Sequence, residues 1–125
     1  MSLMWIALGG GTGSVLRYLL SMQIDEVSTS PLPLGIMSVN IIGSLLMGFF
    51  TWLLIHQFEV NAEIRAVVLF GLIGGFTTFS SFSSQSLAYF LDGEYFLMLL
   101  NIVLSVVLCI IAAGAGLFIA KSIFN

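Results

Sequence analysis

Long apolar runs alternate with short polar clusters along the whole chain. Predominantly apolar stretches cover about residues 4–22, 34–55, 66–91 and 95–121; Arg17 is the one charge inside them, and Lys121 closes the last. A helix needs roughly 20 such residues to cross a bilayer core. The connections are polar: residues 23–33 hold Asp25, Glu26, Pro31 and Pro33, residues 56–65 hold Glu59, Asn61 and Glu63, and Asp92-Gly93-Glu94 makes a tight turn. Pro33, just ahead of the second run, suits a helix start. The pattern predicts an all-α integral membrane protein, with four transmembrane helices in a single domain over residues 1–125.

The third run is longer than one straight helix requires. Its middle reads Gly71-Leu-Ile-Gly-Gly-Phe-Thr-Thr-Phe-Ser-Ser-Phe-Ser83. Backbone groups freed from a helix in hydrocarbon cost several kcal/mol each unless something satisfies them. Non-helical backbone at that depth therefore coordinates an ion, lines a wet cavity or packs against protein. The run predicts a third helix broken at its centre, and points to permeation rather than anchoring.

Composition agrees: 59% of residues are hydrophobic and 7% charged, with mean hydropathy +1.16, whereas soluble domains carry about 25% charged residues. The net charge of -3 comes from acids in the connections, and no basic patch exists to bind nucleic acid. The single cysteine, Cys109, excludes an intrachain disulfide framework and reads as a small core residue. No basic residue precedes the first apolar run, so the N-terminus does not read as a signal peptide. With four spans, both termini and the middle connection share a side. That side carries Arg65 and Lys121 against roughly Arg17 on the other, a bias weak enough to permit insertion in both orientations. Small residues four apart, Gly9/Gly13, Ser44/Gly48, Gly71/Gly75 and Ala112/Gly116, allow close helix contact, between copies or within one.

An ionisable residue inside a span is a candidate functional site. Arg17 can attract an anion, but a guanidinium holding backbone carbonyls or snorkelling is the better reading. No Asp or Glu lies within an expected span, which disfavours a proton relay or a cation antiporter. Neutral polar groups are plentiful: Asn40 with Ser44 one turn on, Asn101 with Ser105 one turn on, and Thr77, Thr78, Ser80, Ser81, Ser83, Ser84, Gln85 and Ser86 in the third run. They offer donors without fixed charge, as a path for a hydrated anion requires. Phe76, Phe79 and Phe82 recur every three residues and predict an aromatic stripe, whose positive ring edges can meet an anion. Gly9-Gly-Gly-Thr-Gly-Ser14 looks superficially like a phosphate loop, but no lysine follows it and no strand precedes it. His56 has no partner at metal-ligand spacing. No nucleophile–base constellation indicates an enzyme.

The glycine-rich first span with Arg17, Gly35 and Asn40 around the second, and Gly74-Gly-Phe-Thr-Thr-Phe-Ser-Ser-Phe-Ser83 together resemble the CrcB/Fluc family of fluoride channels. The likeness covers essentially the whole length. It implies an antiparallel, dual-topology homodimer in a prokaryotic plasma membrane (the inner membrane of a Gram-negative cell). It also implies passive, selective fluoride efflux that confers fluoride resistance. A structural sodium ion is implied at the dimer centre, held by the backbone carbonyls of Gly74 and Thr77. Matching positions assign Asn40, Phe79 and Phe82 to the fluoride pathway, with Ser80, Ser81 and Ser83 near them and Asn101 and Ser105 continuing the track; Arg17 matches a structural arginine. Gln85 stands where relatives carry glutamate, and Cys109 and Ala113 replace hydroxyls found in some of them. The alternative is a small dual-topology multidrug exporter of organic cations, which needs a carboxylate in its first span where this chain has Arg17. A non-transporting assembly factor is a third reading.

Overall fold

A computed structural model describes residues 2–124. It contains four helical spans long and apolar enough to cross a membrane. We label the helices α1 (Ser2–Val27), α2 (Leu34–Gln57), α3 (residues 62–76), α4 (Phe79–Leu91) and α5 (Tyr95–Phe124). Together α3 and α4 make the third span. The last turn of α2 and residues Ala66–Ile73 of α3 widen into π-helical turns.

Five helix ends lie two to five residues beyond the expected bounds, and polar side chains account for two of the shifts. α1 continues to Val27 and brings Asp25 back to α2, where its Oδ1 accepts from Gly35 N–H at 2.9 Å. Pro33, at the N-cap of α2, has no side-chain cap of its own. The carboxylate satisfies an orphan donor and complements the positive end of the helix dipole. α3 begins at Ala62 rather than 66 because Asn61 caps it, accepting from Ile64 N–H at 2.9 Å. α5 runs on to Phe124.

The break in the third span falls at the threonines. Gly74, Gly75 and Phe76 remain helical, whereas Thr77 (ψ 160°) and Thr78 (φ −151°, ψ 123°) are extended. The aromatic stripe is corrected accordingly: Phe76 lies before the break, and only Phe79 and Phe82 pair, with ring centroids 5.4 Å apart and planes at 49°.

The glycines bring helices together inside the chain. A Cβ at Gly13 would collide with the Leu72 carbonyl, and one at Gly75 with Gly10, so α1 lies backbone to backbone on α3. The largest helix pair, α2 with α5, closes the same way: Gly48 abuts the Ala113 carbonyl and Gly116 the Leu45 carbonyl. The four-residue pairs of small residues thus serve contacts within one copy, and do not in themselves argue for self-association. Leu54, Leu69 and Ile73 form a small core with Leu46, Met47 and Phe50. Much apolar surface stays outside it, including Phe70, Phe96 and Phe118.

Gly48→Val should force α2 off α5 and destabilise the protein by at least about 1–3 kcal/mol, the usual effect of overpacking. Gly114→Ala, where a Cβ meets nothing within 4 Å, should not lower the thermal midpoint in detergent. Equal midpoints for the two variants would contradict this packing.

Candidate functional site

The break frees backbone groups in the interior of the span, and side chains from two other helices meet them. Asn40 on α2 bonds Thr78 twice: its Oδ1 accepts from Thr78 N–H at 2.8 Å, and its Nδ2 donates to the Thr78 carbonyl at 3.0 Å. Both residues are buried. The pairing fixes which way the amide points, since only one orientation gives the N–H an acceptor and the carbonyl a donor. Arg17 on α1 donates from Nη1 to the Thr77 carbonyl at 3.1 Å, and Ser14 one turn earlier donates to the Gly75 carbonyl at 3.4 Å. Arg17 is therefore held at the depth of the break, rather than toward the loop that its place in the sequence suggested.

These bonds set the local electrostatics. The carbonyl end of α3 carries the negative pole of its dipole and receives the guanidinium. The N-terminal end of α4 carries the positive pole and is capped by Thr78, whose Oγ1 accepts from Ser81 N–H at 3.1 Å. Thr78 N–H is taken by Asn40, so the Gly74 carbonyl loses the donor a continuous helix would give it. It keeps only a marginal 3.5 Å contact from its neighbour Thr77 Oγ1. Gly74 is exposed on the outside of the single chain.

Beside the break lies a partly open groove of about 300 Å³. It gathers Asn40, Thr77, Phe79, Phe82 and Ser105, five of the residues singled out from the sequence, with Gly43, Ser44 and Met47 of α2, Thr78, and Val106, Cys109 and Ala113 of α5. Every lining side chain is neutral. Phe79 is 77% exposed, so one wall is an aromatic ring facing out of the chain.

The remaining expected residues sit elsewhere. Ser80 and Ser81 bond the Thr78 hydroxyl at 3.2 and 3.3 Å, and Ser83 donates to the Phe79 carbonyl at 2.9 Å; none of the three lines the groove. Asn101 is 1% exposed. Its Nδ2 donates to Ser86 Oγ at 3.0 Å and its Oδ1 accepts from Ser105 Oγ at 3.3 Å, so it ties α4 to α5 behind the groove. Gly74 and Arg17 lie at the break but not on the groove wall. Sequence reading missed the part of Thr78 as Asn40's partner and as helix cap. A threonine just ahead of a renewed helical run is the N-cap signal that marks it. Among the described residues no three His, Cys, Asp or Glu side chains gather for a metal.

These features define a multi-pass membrane protein with a neutral, partly aromatic opening at an intramembrane helix break. Comparison with known proteins supplies the family: the chain belongs to the one described as CrcB-like protein, Camphor Resistance (CrcB), whose profile matches residues 4–117. A fluoride-specific ion channel FluC of Phocaeicola vulgatus is 44% identical over 120 residues, covering 96% of this chain and 98% of its own. The protein of that name from Magnetococcus marinus is 40% identical over 123 residues, 98% of this chain and 100% of its own. Another, from Methylococcus capsulatus, is 41% identical over 121 residues, 97% of this chain and 53% of its own.

Replacing Asn40 with leucine leaves the Thr78 N–H and carbonyl without partners, each a penalty of about 1–3 kcal/mol. Asn40→Leu should unfold well below wild type in a denaturant titration. Asn40→Asp, which still accepts from Thr78 N–H, should fall between them. Wild-type stability in Asn40→Leu would show that the amide does not brace the break.

Proposed function

We propose that this protein is a fluoride-selective ion channel that lets fluoride leave the cytoplasm passively and so confers fluoride resistance. The observation that carries the reading is the groove: neutral polar side chains and two paired phenylalanines converge on a helix break, in a chain whose relatives are named fluoride-specific channels. The activity is permeation and not catalysis. The relatives' names give the organic-cation exporter no support.

Fluoride entering a narrow path loses hydration that the wall has to replace without trapping the ion. Asn40 has a second amide N–H beyond the one given to Thr78. The edges of Phe79 and Phe82 carry the positive part of their quadrupoles. The N-terminus of α4, just beside them, favours negative charge. Arg17 offsets the carbonyl pole of α3 through the Thr77 carbonyl and does not line the groove, so its charge aids entry without forming a trap on the wall. Ser105 closes the α5 side, and Asn101 holds it from behind. Ser80, Ser81 and Ser83 keep the start of α4 in shape around Phe79.

The working form is an antiparallel homodimer of dual topology in the prokaryotic plasma membrane, the inner membrane where the cell is Gram-negative. The open side of the groove and the outward ring of Phe79 favour it, because a second copy supplies the missing wall. Three basic residues in the whole chain leave little to fix one orientation. A structural sodium ion at the dimer centre fits the donors at the break. The outward Gly74 carbonyl lacks a strong partner, and the Thr77 carbonyl has a second lone pair beyond the one bound by Arg17. Gly74 and Thr77 of two copies would give an all-oxygen set suited to a hard cation. When bound, the ion supplies positive charge near the path.

Purified protein in potassium-loaded liposomes should release fluoride, read by an ion-selective electrode, when valinomycin is added, with little chloride release under the same gradient. Absence of fluoride release from folded protein would refute the channel. Phe79→Ile and Phe82→Ile should each lower the fluoride rate at least about 10-fold, the scale of losing an interaction of roughly 1.4 kcal/mol in the path, while dimers persist on cross-linking. Unchanged rates would reduce both rings to packing.

A further inference from the structure

The groove's hydrogen-bond donors can be counted one by one. Ser105 lines it, but its hydroxyl donates to Asn101 Oδ1 at 3.3 Å, so it turns lone pairs rather than a proton toward the open space. The Thr77 hydroxyl turns back on the carbonyls of Ile73 and Gly74, and the Thr78 hydroxyl donates to Ser81 Oγ at 3.3 Å. Asn40 has one N–H left after binding Thr78. On the α5 wall Cys109 offers a weak S–H and Ala113 nothing. A halide shedding water along this path thus finds one strong side-chain donor, unless Ser44 is another.

Ser44 follows Asn40 by four residues on α2, so it shares that face one turn further along, and it lines the groove. Among the described residues nothing bonds its hydroxyl. Nor is its oxygen sealed off, since the one buried side-chain oxygen or nitrogen without a partner belongs to Gln85. The Ser44 hydroxyl is therefore open to the groove. Its position is fixed from both sides: a Cβ on Gly43 would strike the Thr77 methyl, and one on Gly48 the Ala113 carbonyl, so α2 is pressed against the break and α5 here.

We propose that Ser44 is a second hydrogen-bond donor of the permeation path, taking the halide on from Asn40 past the stretch where Cys109 and Ala113 leave the α5 wall without a hydroxyl. This role rests on the channel reading. The expectation is that Ser44→Ala, reconstituted and followed with a fluoride electrode, loses flux at least about 10-fold, the scale of one hydrogen bond to an ion. Its elution in detergent and its unfolding midpoint should match wild type. Ser44→Thr, which keeps the hydroxyl, should recover most of that loss. Cys109→Ser in the Ser44→Ala background should recover part of it by returning a hydroxyl to the groove. Wild-type flux in Ser44→Ala would overturn the proposal, and so would equal losses in Ser44→Ala and Ser44→Thr, which would make side-chain shape the cause. Wild-type protein without fluoride flux is a separate result: it would remove the channel reading itself, and this role with it.

Discussion

A peptide group taken out of a helix inside a membrane has no water to turn to, so its partners have to come from the protein. Thr77 and Thr78 create that requirement, and the rest of the chain is arranged around meeting it. Asn40 closes a two-bond ring with Thr78, Arg17 takes the Thr77 carbonyl, and the Thr78 hydroxyl starts the next helix. The side chains reach because α1 and α2 come unusually close. Gly9 and Gly13 let α1 lie on the backbone of α3, and Gly43 lets α2 meet Thr77. The glycines thus have a task downstream of packing, since they set the distance over which two polar side chains repair a broken helix.

The repair leaves a functional residue. Once Asn40 and Arg17 have met the break, the two half-helices point opposite dipole ends at one depth, and the carbonyl end alone is offset by a guanidinium. The N–H end of α4 is left beside Phe79 and Phe82, next to a groove with no charged wall. Such a site favours an anion weakly, by oriented dipoles and ring edges, which is what passage rather than storage demands. Phe79 turns outward and Gly74 is exposed on the outer surface of the single chain, the two features on which the proposed homodimer rests.

Much of this was legible in the residues, and what was not has identifiable causes. Four spans followed from apolar run lengths, because a bilayer imposes its thickness on sequence. The presence of a break followed from hydroxyls and glycines where hydrocarbon tolerates neither. Its exact place did not: the glycines and hydroxyls of Gly71–Ser83 marked only a stretch, within which Gly74 and Gly75 stay helical and the β-branched Thr77 and Thr78 turn extended. Gly75 is explained by the approach of Gly10, which no one-dimensional pattern displays. The ends of α1 and α3 were misjudged because Asp25 and Asn61 read as loop polarity, whereas both act as caps. Ser80, Ser81, Ser83 and Asn101 share sequence neighbourhoods with the groove residues but point into local networks. Spacing along a helix gives a face, and only the neighbouring helix decides what that face meets.

Asn40 holds the opened backbone at Thr78. Amide hydrogen exchange at Thr78, followed by NMR in bilayer nanodiscs, tests it most directly. The Thr78 amide should be strongly protected in the wild-type protein and exchange fast once Asn40 is replaced by alanine, with the amides of α2 and α5 still protected. A Thr78 amide that exchanges freely in wild type, or stays equally protected without Asn40, would contradict it.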